Sequence, residues 1–174
     1  MEKEKTGEQA TSLGHLKTYP CYRDGKVLTA KVISRDMIGY QAKRKNYVKW
    51  NSQVKQLTSS YNHLNILPTI EVVRAKDVYI LIQERDPNTT VSLAEFIKER
   101  VTETDPKKQK KFFTLIQLQQ MIMQIVNAFE CFSVGMQQVH GSLDLHSLYV
   151  TEIDGYLRVQ LDISSFEGIR KNLK

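Results

Sequence analysis

The residues that could support chemistry are a lysine in an apolar segment and two aspartates late in the chain. Lys31 is the only charged residue in V-L-T-A-K-V-I, residues 27–33. An ammonium group can bind a phosphate there as a point charge, although an ordinary strand lysine fits the same pattern. Asp144 and Asp162 flank a predicted hairpin. Two carboxylates can share acid–base catalysis, but Asp162 also fits the end of a strand.

The thiol and imidazole groups do not indicate a metal site. Cys21 and Cys131 are the only two cysteines, too few for a disulfide framework, and this favours a reducing intracellular setting. The histidines, among them His63 and His146, lack the spacing of metal ligands. We therefore expect no metal.

The bulk composition is that of a soluble globular protein. With 41% hydrophobic and 25% charged residues among 174, the chain is neither fibrous nor wholly disordered, and it is long enough for one domain or two small lobes. The charged start lacks the apolar run of a secretory signal. Glutamines interrupt the most apolar stretch, residues 112–132, so we expect no membrane span and a cytoplasmic location.

The positive net charge permits an acidic partner without requiring one. The formal charge is +6 and the pI is near 9.2, and lysine runs occur at residues 43–45 and 107–111. Such runs are most often solvated surface, but they can attract an acidic protein surface. Aromatic residues are not interleaved with residues 107–111, which argues against nucleic-acid binding by base stacking.

The elements that must position Lys31 are predicted to be a hairpin, a helix and a second hairpin. Residues 19–33 read as two strands around the turn Asp24-Gly25, a strong hairpin signal. Residues 41–61 carry apolar side chains at alternating spacings of three and four, as expected of an amphipathic helix. Two further antiparallel strands are predicted within residues 66–83.

The second half of the chain is predicted to be mainly helical. Residues 91–101 form a short amphipathic helix with Ser92 as its N-cap, and a longer helix follows that Gly135 ends. A last hairpin surrounds Asp154-Gly155. The longer helix has its main apolar stripe at Leu115, Leu118, Ile122, Ile125, Phe129 and Phe132, with Met121, Met123 and Val126 on further faces.

In this order the elements resemble those of the protein kinase family, over roughly residues 13–166. T-A-K-V-I resembles the V-A-I-K strand and places Lys31 at the phosphate-contacting lysine, while N-H-L-N-I-L resembles the H-P-N-I segment. H-G-S-L-D-L-H-S-L aligns without a gap to H-R-D-L-x-x-x-N. The resemblance implies an α+β, two-lobed kinase-like fold, with a β-sheet and an αC helix in the N-lobe and a partial, mainly helical C-lobe that ends near the D-F-G position.

The domain boundaries follow from this resemblance. Residues 1–12 are expected to be a polar tail. Residues 13–85 correspond to the kinase N-lobe, and residues 86–174 to a partial C-lobe. The chain ends at Lys174, where the resemblance places the start of an activation segment.

The departures from the family pattern fall on catalytic positions. Phosphoryl transfer needs a base-like aspartate, metal ligands and a lysine held in an ion pair. Ser142 stands at the catalytic aspartate, and a hydroxyl cannot replace that carboxylate. Asp144 stands where kinases usually have lysine, Ser147 replaces the metal-binding asparagine, and Val54 falls at the αC glutamate. The resemblance therefore implies a catalytically dead pseudokinase and no enzyme.

The nucleotide-binding positions are only partly retained. Gly14 alone survives of the glycine loop, and Gln83 stands at the gatekeeper position. The D-F-G segment aligns either with Asp162-Ile163-Ser164, which keeps the aspartate, or with residues 165–167, which lose it. We expect no cofactor, with residual ATP binding through Lys31 and Asp162 as an alternative.

The function that this pattern favours is protein binding within a larger assembly. An apolar helix that lacks part of its usual cover indicates an interface, and the residues expected there are Leu115, Leu118, Met121, Ile122, Ile125 and Phe129. The leading hypothesis is a non-catalytic interaction or structural subunit. One alternative is a nucleotide-sensing pseudokinase. Another is a basic, cytoskeleton-associated adaptor on an acidic polymer such as tubulin tails or nucleic acid.

Overall fold

The structure is a computed structural model that describes residues 9–10, 16–34, 63–102, 113–135 and 143–164. Several predictions lie outside the described residues: the polar tail apart from residues 9–10, which form a strand, the helix over 41–61 with Val54, Gly14, the run 107–111, Ser142 and the alternative segment 165–167. The chain divides into two compact units, Met1–Ser59 with Pro68–Pro87, and Ser60–Leu67 with Asn88–Lys174.

The first unit contains a five-stranded antiparallel sheet with the strand order β1-β2-β3-β5-β4. Asp24 and Gly25 join β2 to β3 with φ values of 51° and 74°, the left-handed conformation that matches the twist of a hairpin. Both predicted hairpins of this unit are confirmed. The strands are β1 (Gln9–Ala10), β2 (Leu16–Arg23), β3 (Lys26–Ser34), β4 (Thr69–Arg74) and β5 (Val78–Gln83).

One face of β3 carries the candidate lysine. Thr29, Lys31 and Ile33 alternate with their neighbours and are all buried, since side chains two residues apart lie on the same face of a strand. On β5, Gln83 lies opposite Thr29, and Leu81 lies opposite Lys31. Both are also buried. Lys31 therefore belongs to a mixed polar and apolar face.

The second unit combines a three-stranded antiparallel sheet, order β6-β7-β8, with the helices. The predicted helices and the last hairpin are confirmed, while the three-residue strand β6 was not predicted. It pairs Val91 with Val150 on β7, a partner that no local pattern reveals. The elements are β6 (Thr90–Ser92), α1 (Leu93–Thr102), α2 (Leu115–Glu130), a π-helix (Cys131–Gly135), β7 (Leu148–Ile153) and β8 (Tyr156–Leu161).

Helices α1 and α2 each begin with a capping box. In this arrangement a hydroxyl oxygen and the side-chain oxygen of a Glu or Gln accept hydrogen bonds from two backbone N–H groups that would otherwise be unpaired. The Glu95 amide donates to Ser92 Oγ at 3.2 Å, and Ser92 N donates to Glu95 Oε2 at 3.0 Å. Thr114 and Gln117 repeat the arrangement at the start of α2. The predicted cap at Ser92 is confirmed.

The core of the second unit lies between α2 and β8. Met121, Ala128 and Phe132 are buried from the helical side, and Val159 and Leu161 from the sheet. Each large apolar side chain buried in this way contributes about 1.5–3 kcal/mol. Within the described residues, no helix is both long and apolar enough to cross a membrane.

The segment at residues 63–67 groups with the second unit. It is held there by backbone pairing. Leu67 N donates to Leu161 O at 2.9 Å, and Leu161 N donates to Asn65 O at 2.8 Å, so the segment runs alongside β8.

Candidate functional site

Arg85 lies against the buried face that carries Lys31. Thr29 Oγ1 donates to Arg85 O at 2.8 Å, and Arg85 Nε donates back to Thr29 Oγ1 at 3.2 Å. Arg85 is buried, even though arginine is rarely fully buried. The side chain of Arg85, in the segment after β5, therefore packs against β3 and does not point towards solvent.

Asp144 and Ser147 close a tight turn before β7. Asp144 Oδ1 accepts hydrogen bonds from the backbone amides of His146 and Ser147, each at 2.8 Å. Ser147 Oγ donates to Asp144 O at 2.8 Å and accepts from Asp144 N at 3.0 Å. Both side chains thus serve local backbone groups, as Asp and Ser commonly do in turns.

Asp162 follows β8 directly and is held by Ser164. Asp162 Oδ1 accepts from Ser164 N at 2.9 Å and from Ser164 Oγ at 2.5 Å, and all of these groups are buried. Asp162 N also donates to Ser147 O at 2.8 Å. The structure therefore joins Asp144, Ser147 and Asp162 in one hydrogen-bonded cluster of the second unit, while Lys31 belongs to the first.

The helix α2 exposes a broad apolar side. Leu115 is 71% exposed and Ile122 is 58% exposed, and the other members of this side are 41–66% exposed. Monomeric soluble proteins rarely expose a contiguous apolar patch of this kind without a function for it. We call these residues the α2 apolar face: Leu115, Ile116, Leu118, Ile122, Met123 and Val126.

The predicted partner-binding residues overlap this face only in part. Leu115, Leu118 and Ile122 belong to it. Met121 is only 5% exposed and packs inside its own unit, so a partner cannot reach it in this fold. Ile125 and Phe129 are half-buried at the flank of the face.

Gln124 explains which side of α2 faces inwards. Gln124 Nε2 donates to Leu157 O at 2.8 Å, and Gln124 Oε1 accepts from Val159 N at 2.9 Å. The same oxygen accepts from Asn65 Nδ2, also at 2.9 Å. A buried amide is costly without partners and stable with them. Sequence reasoning missed this residue because a glutamine between apolar residues is usually exposed.

A shallow groove of about 350 Å³ lies beside the π-helix, lined by His63, Asn127, Glu130, Cys131 and Val134. Among the described residues, no cluster of histidine, cysteine or carboxylate side chains is placed to hold a metal. Burial raises the pKa of the Cys21 thiol above its usual value. This disfavours the thiolate, and with it a nucleophilic role for Cys21.

Comparison with known proteins identifies the fold. No family model matches the chain, and no curated protein matches it by sequence. The crystal structure of Rad53 1–466 in complex with AMP-PNP is similar, with a TM-score of 0.63, 15% identity and coverage of 92% of this chain and 36% of that one. The kinase domain of PknI from Mycobacterium tuberculosis, solved as a double mutant, has a TM-score of 0.64, 14% identity and coverage of 90% and 56%.

At these identities the likeness concerns the fold alone, since one fold can carry unrelated functions. The chain has a protein-kinase-like fold with mixed α and β elements and antiparallel sheets. It spans 36% and 56% of the lengths of these two kinase chains.

Proposed function

We propose that the chain is a non-catalytic, kinase-like pseudokinase that serves as an interaction or structural subunit and docks on a partner protein through the α2 apolar face. The observation that carries the proposal is the exposure of that face, on which six apolar side chains lie on one side of a single helix. A partner that covered these side chains would gain about 25 cal/mol of free energy for each Å² of apolar surface removed from water.

The charge of α2 favours an apolar protein partner over an acidic polymer. The helix L-I-Q-L-Q-Q-M-I-M-Q-I-V-N-A-F-E contains neither lysine nor arginine, and its only charged residue is Glu130. Gln119 and Gln120, both exposed, supply hydrogen-bonding groups beside the apolar residues. A surface of this kind recognises its partner by apolar burial with a polar rim.

The absence of phosphotransfer is supported by the residues at the aligned catalytic positions. Ser142 offers no carboxylate to accept a proton from a substrate hydroxyl. Ser147, aligned with a metal-binding asparagine, has its hydroxyl engaged with Asp144. An intrinsic phosphotransferase rate that Lys31→Ala abolishes would contradict the non-catalytic assignment.

The docking proposal is tested by placing a charge in the α2 apolar face. Ile122→Asp buries a carboxylate against any apolar partner, so the complex should weaken by at least about tenfold. Val101→Asp is the matched control, because Val101 is also an exposed helical apolar residue (55% exposed) but lies on α1. Size-exclusion chromatography with light scattering on the full chain, alone and with its copurifying proteins, reads out the assembly.

The proposal would be contradicted if the two substitutions weakened the assembly equally. It would also be contradicted if the unaltered chain were a monodisperse monomer that recruits no protein. Far-ultraviolet circular dichroism on both variants establishes that neither change unfolds the chain.

Nucleotide sensing is the second candidate, and it is favoured by Lys31 at the aligned lysine position and by Asp162 in one of the two alignments of the D-F-G segment. One of the similar kinase structures is a complex with AMP-PNP. Under this proposal, ATP with magnesium would raise the melting temperature of the chain, and Lys31→Ala would remove the shift.

A further inference from the structure

The register of β3 and β5 defines the space that a nucleotide would need in the first unit. Lys31 is aligned with the phosphate-contacting lysine, and Gln83 with the gatekeeper at the back of the nucleotide pocket. Thr29 lies between these landmarks, because it is two residues before Lys31 on the same face and directly opposite Gln83. A base placed between them would rest on Thr29.

Arg85 already occupies the position next to Thr29. Its carbonyl accepts from Thr29 Oγ1 at 2.8 Å, and its Nε donates to the same oxygen at 3.2 Å. The second of these bonds has a charged donor, which makes it stronger than a neutral one. The arginine is thus attached to this strand at two points, through its backbone and through its side chain.

The backbone that presents Arg85 is fixed as well. Arg85 N donates to Gln83 O at 2.8 Å, and Glu84 N donates to Pro68 O at 3.0 Å. The first bond closes a tight turn after β5, and the second ties this segment to the residue before β4. The direction of the arginine side chain is therefore set by the fold, unlike that of a surface arginine on a loop.

The low solvent exposure of these side chains agrees with a nucleoside position that the protein itself fills. Thr29 and Gln83 are each 1% exposed, Lys31 is 7% exposed and Arg85 is 8% exposed. A pocket open to a nucleotide would leave part of its lining in contact with water, since ligand sites are concave and usually largely formed before binding. Here the landmark residues and the arginine are all inaccessible.

We propose that Arg85 closes the nucleoside position of this sheet from within, so that the folded chain excludes purine nucleotides until the Arg85–Thr29 contact is broken. The motif V-A-I-K has an alanine at the position of Thr29. The threonine hydroxyl binds the arginine through two hydrogen bonds that an alanine could not make. This inference rests on the kinase-like fold and is independent of the docking of α2.

The test is a binding measurement with ATP and with ADP, with and without magnesium, by isothermal calorimetry and thermal shift. We expect no shift in the melting temperature of the unaltered chain, which is the opposite of the result that nucleotide sensing would give. Arg85→Ala should gain affinity by at least about tenfold, and Thr29→Ala, which only removes the anchor, should gain less. Adding Lys31→Ala to Arg85→Ala should abolish the gain, because the phosphates lose their cation.

The matched control is Arg23→Ala, which removes an arginine of the same unit whose side chain is 53% exposed and paired with Glu71 at 2.7 Å. It should leave nucleotide affinity unchanged. Nucleotide bound to Arg85→Ala should also remain intact, because Ser142 supplies no carboxylate for phosphotransfer.

Three results would overturn the inference. One is nucleotide binding by the unaltered chain that is as tight as binding by Arg85→Ala. Another is a loss of nucleotide affinity in Arg85→Ala, which would show that the arginine binds the nucleotide phosphates and does not exclude the nucleotide. The third is that Arg85→Ala and Thr29→Ala both fold, by circular dichroism, and that neither gains affinity for nucleotide. None of these bears on partner docking, which Ile122→Asp reads out separately. Loss of docking would overturn only the proposed function, whereas phosphotransfer by the unaltered chain would overturn both proposals, because it requires bound ATP.

Discussion

At the scale of single residues, Gln124 decides how α2 is oriented. Its amide satisfies the carbonyl of Leu157, the amide of Val159 and the side chain of Asn65 at the same time. These bonds cannot be kept if the helix turns about its axis, and the backbone groups of Leu157 and Val159 would then lose their partner in the core. The α2 apolar face is therefore exposed because a polar residue holds the opposite side inwards.

Replacing Gln124 tests this account. Gln124→Leu keeps the size of the side chain but leaves the Leu157 carbonyl and the Val159 amide without their side-chain partner, while Asn65 Nδ2 keeps its bond to Val159 O at 3.0 Å. The free energy of unfolding should therefore fall by about 2–4 kcal/mol. Urea denaturation followed by circular dichroism measures the change. Gln119→Leu is the control, since Gln119 is exposed on the same helix and its replacement should cost less than about 0.5 kcal/mol. Equal effects of the two changes would refute the anchoring role.

The residues of the candidate site differ in how far the sequence could predict them. Lys31 is found from its motif, and the register of β3 confirms that it faces the buried side of the sheet. Arg85 could not be found, because an arginine just after a strand is normally solvated. Its burial depends on a hydroxyl 56 residues earlier in the chain. A pairing over that distance leaves no local pattern.

At the scale of elements, α1 is attached to its surroundings by Arg100. The guanidinium carbon lies 4.4 Å from the centre of the Phe96 ring and 5.3 Å from that of Phe113. Arg100 Nη2 lies 3.3 Å from Glu152 Oε2 on β7. The arginine thus connects α1, the residue before the α2 cap and the small sheet.

We expect Arg100→Ala to lower the free energy of unfolding by about 2 kcal/mol, because it removes the contacts with two rings and a carboxylate together. Glu152→Gln should cost less than about 1 kcal/mol, because Glu152 is partly exposed (34%) and its ion pair is screened by solvent. Thermal unfolding at low and high salt separates the contribution of the ion pair, which salt weakens, from that of the ring contacts. If both substitutions cost the same, the ring contacts would contribute nothing.

The elements themselves could largely be predicted, and the exceptions have a common cause. Asp-Gly turns and Ser or Thr caps are local signals, and the hairpins and helix starts that they predict are confirmed. The strand β6 and the inward side of α2 depend on partners far along the chain. Apolar residues lie on several sides of α2, so periodicity alone does not show which side a glutamine will bury.

At the scale of the whole molecule, the distribution of charge separates the proposed function from its basic-adaptor rival. The net charge of +6 belongs to the chain as a whole, whereas α2 has no basic residue. Docking through α2 and attraction to an acidic polymer therefore depend on different residues. They must also respond differently to salt, because only the polymer is surrounded by counterions that binding releases.

The complex that Ile122→Asp disrupts should therefore resist salt. Raising the salt concentration from about 50 to 200 mM should change its dissociation constant by less than about threefold, since apolar burial is not screened. A polyanion bound through six or more phosphates would lose about a thousandfold or more over that range. Reversing the charge of the lysines within residues 107–111 should leave the complex intact. Fluorescence anisotropy on the labelled chain measures both effects. A steep loss of binding with salt, abolished by that charge reversal, would instead assign the interaction to the basic run and leave the α2 apolar face without its partner.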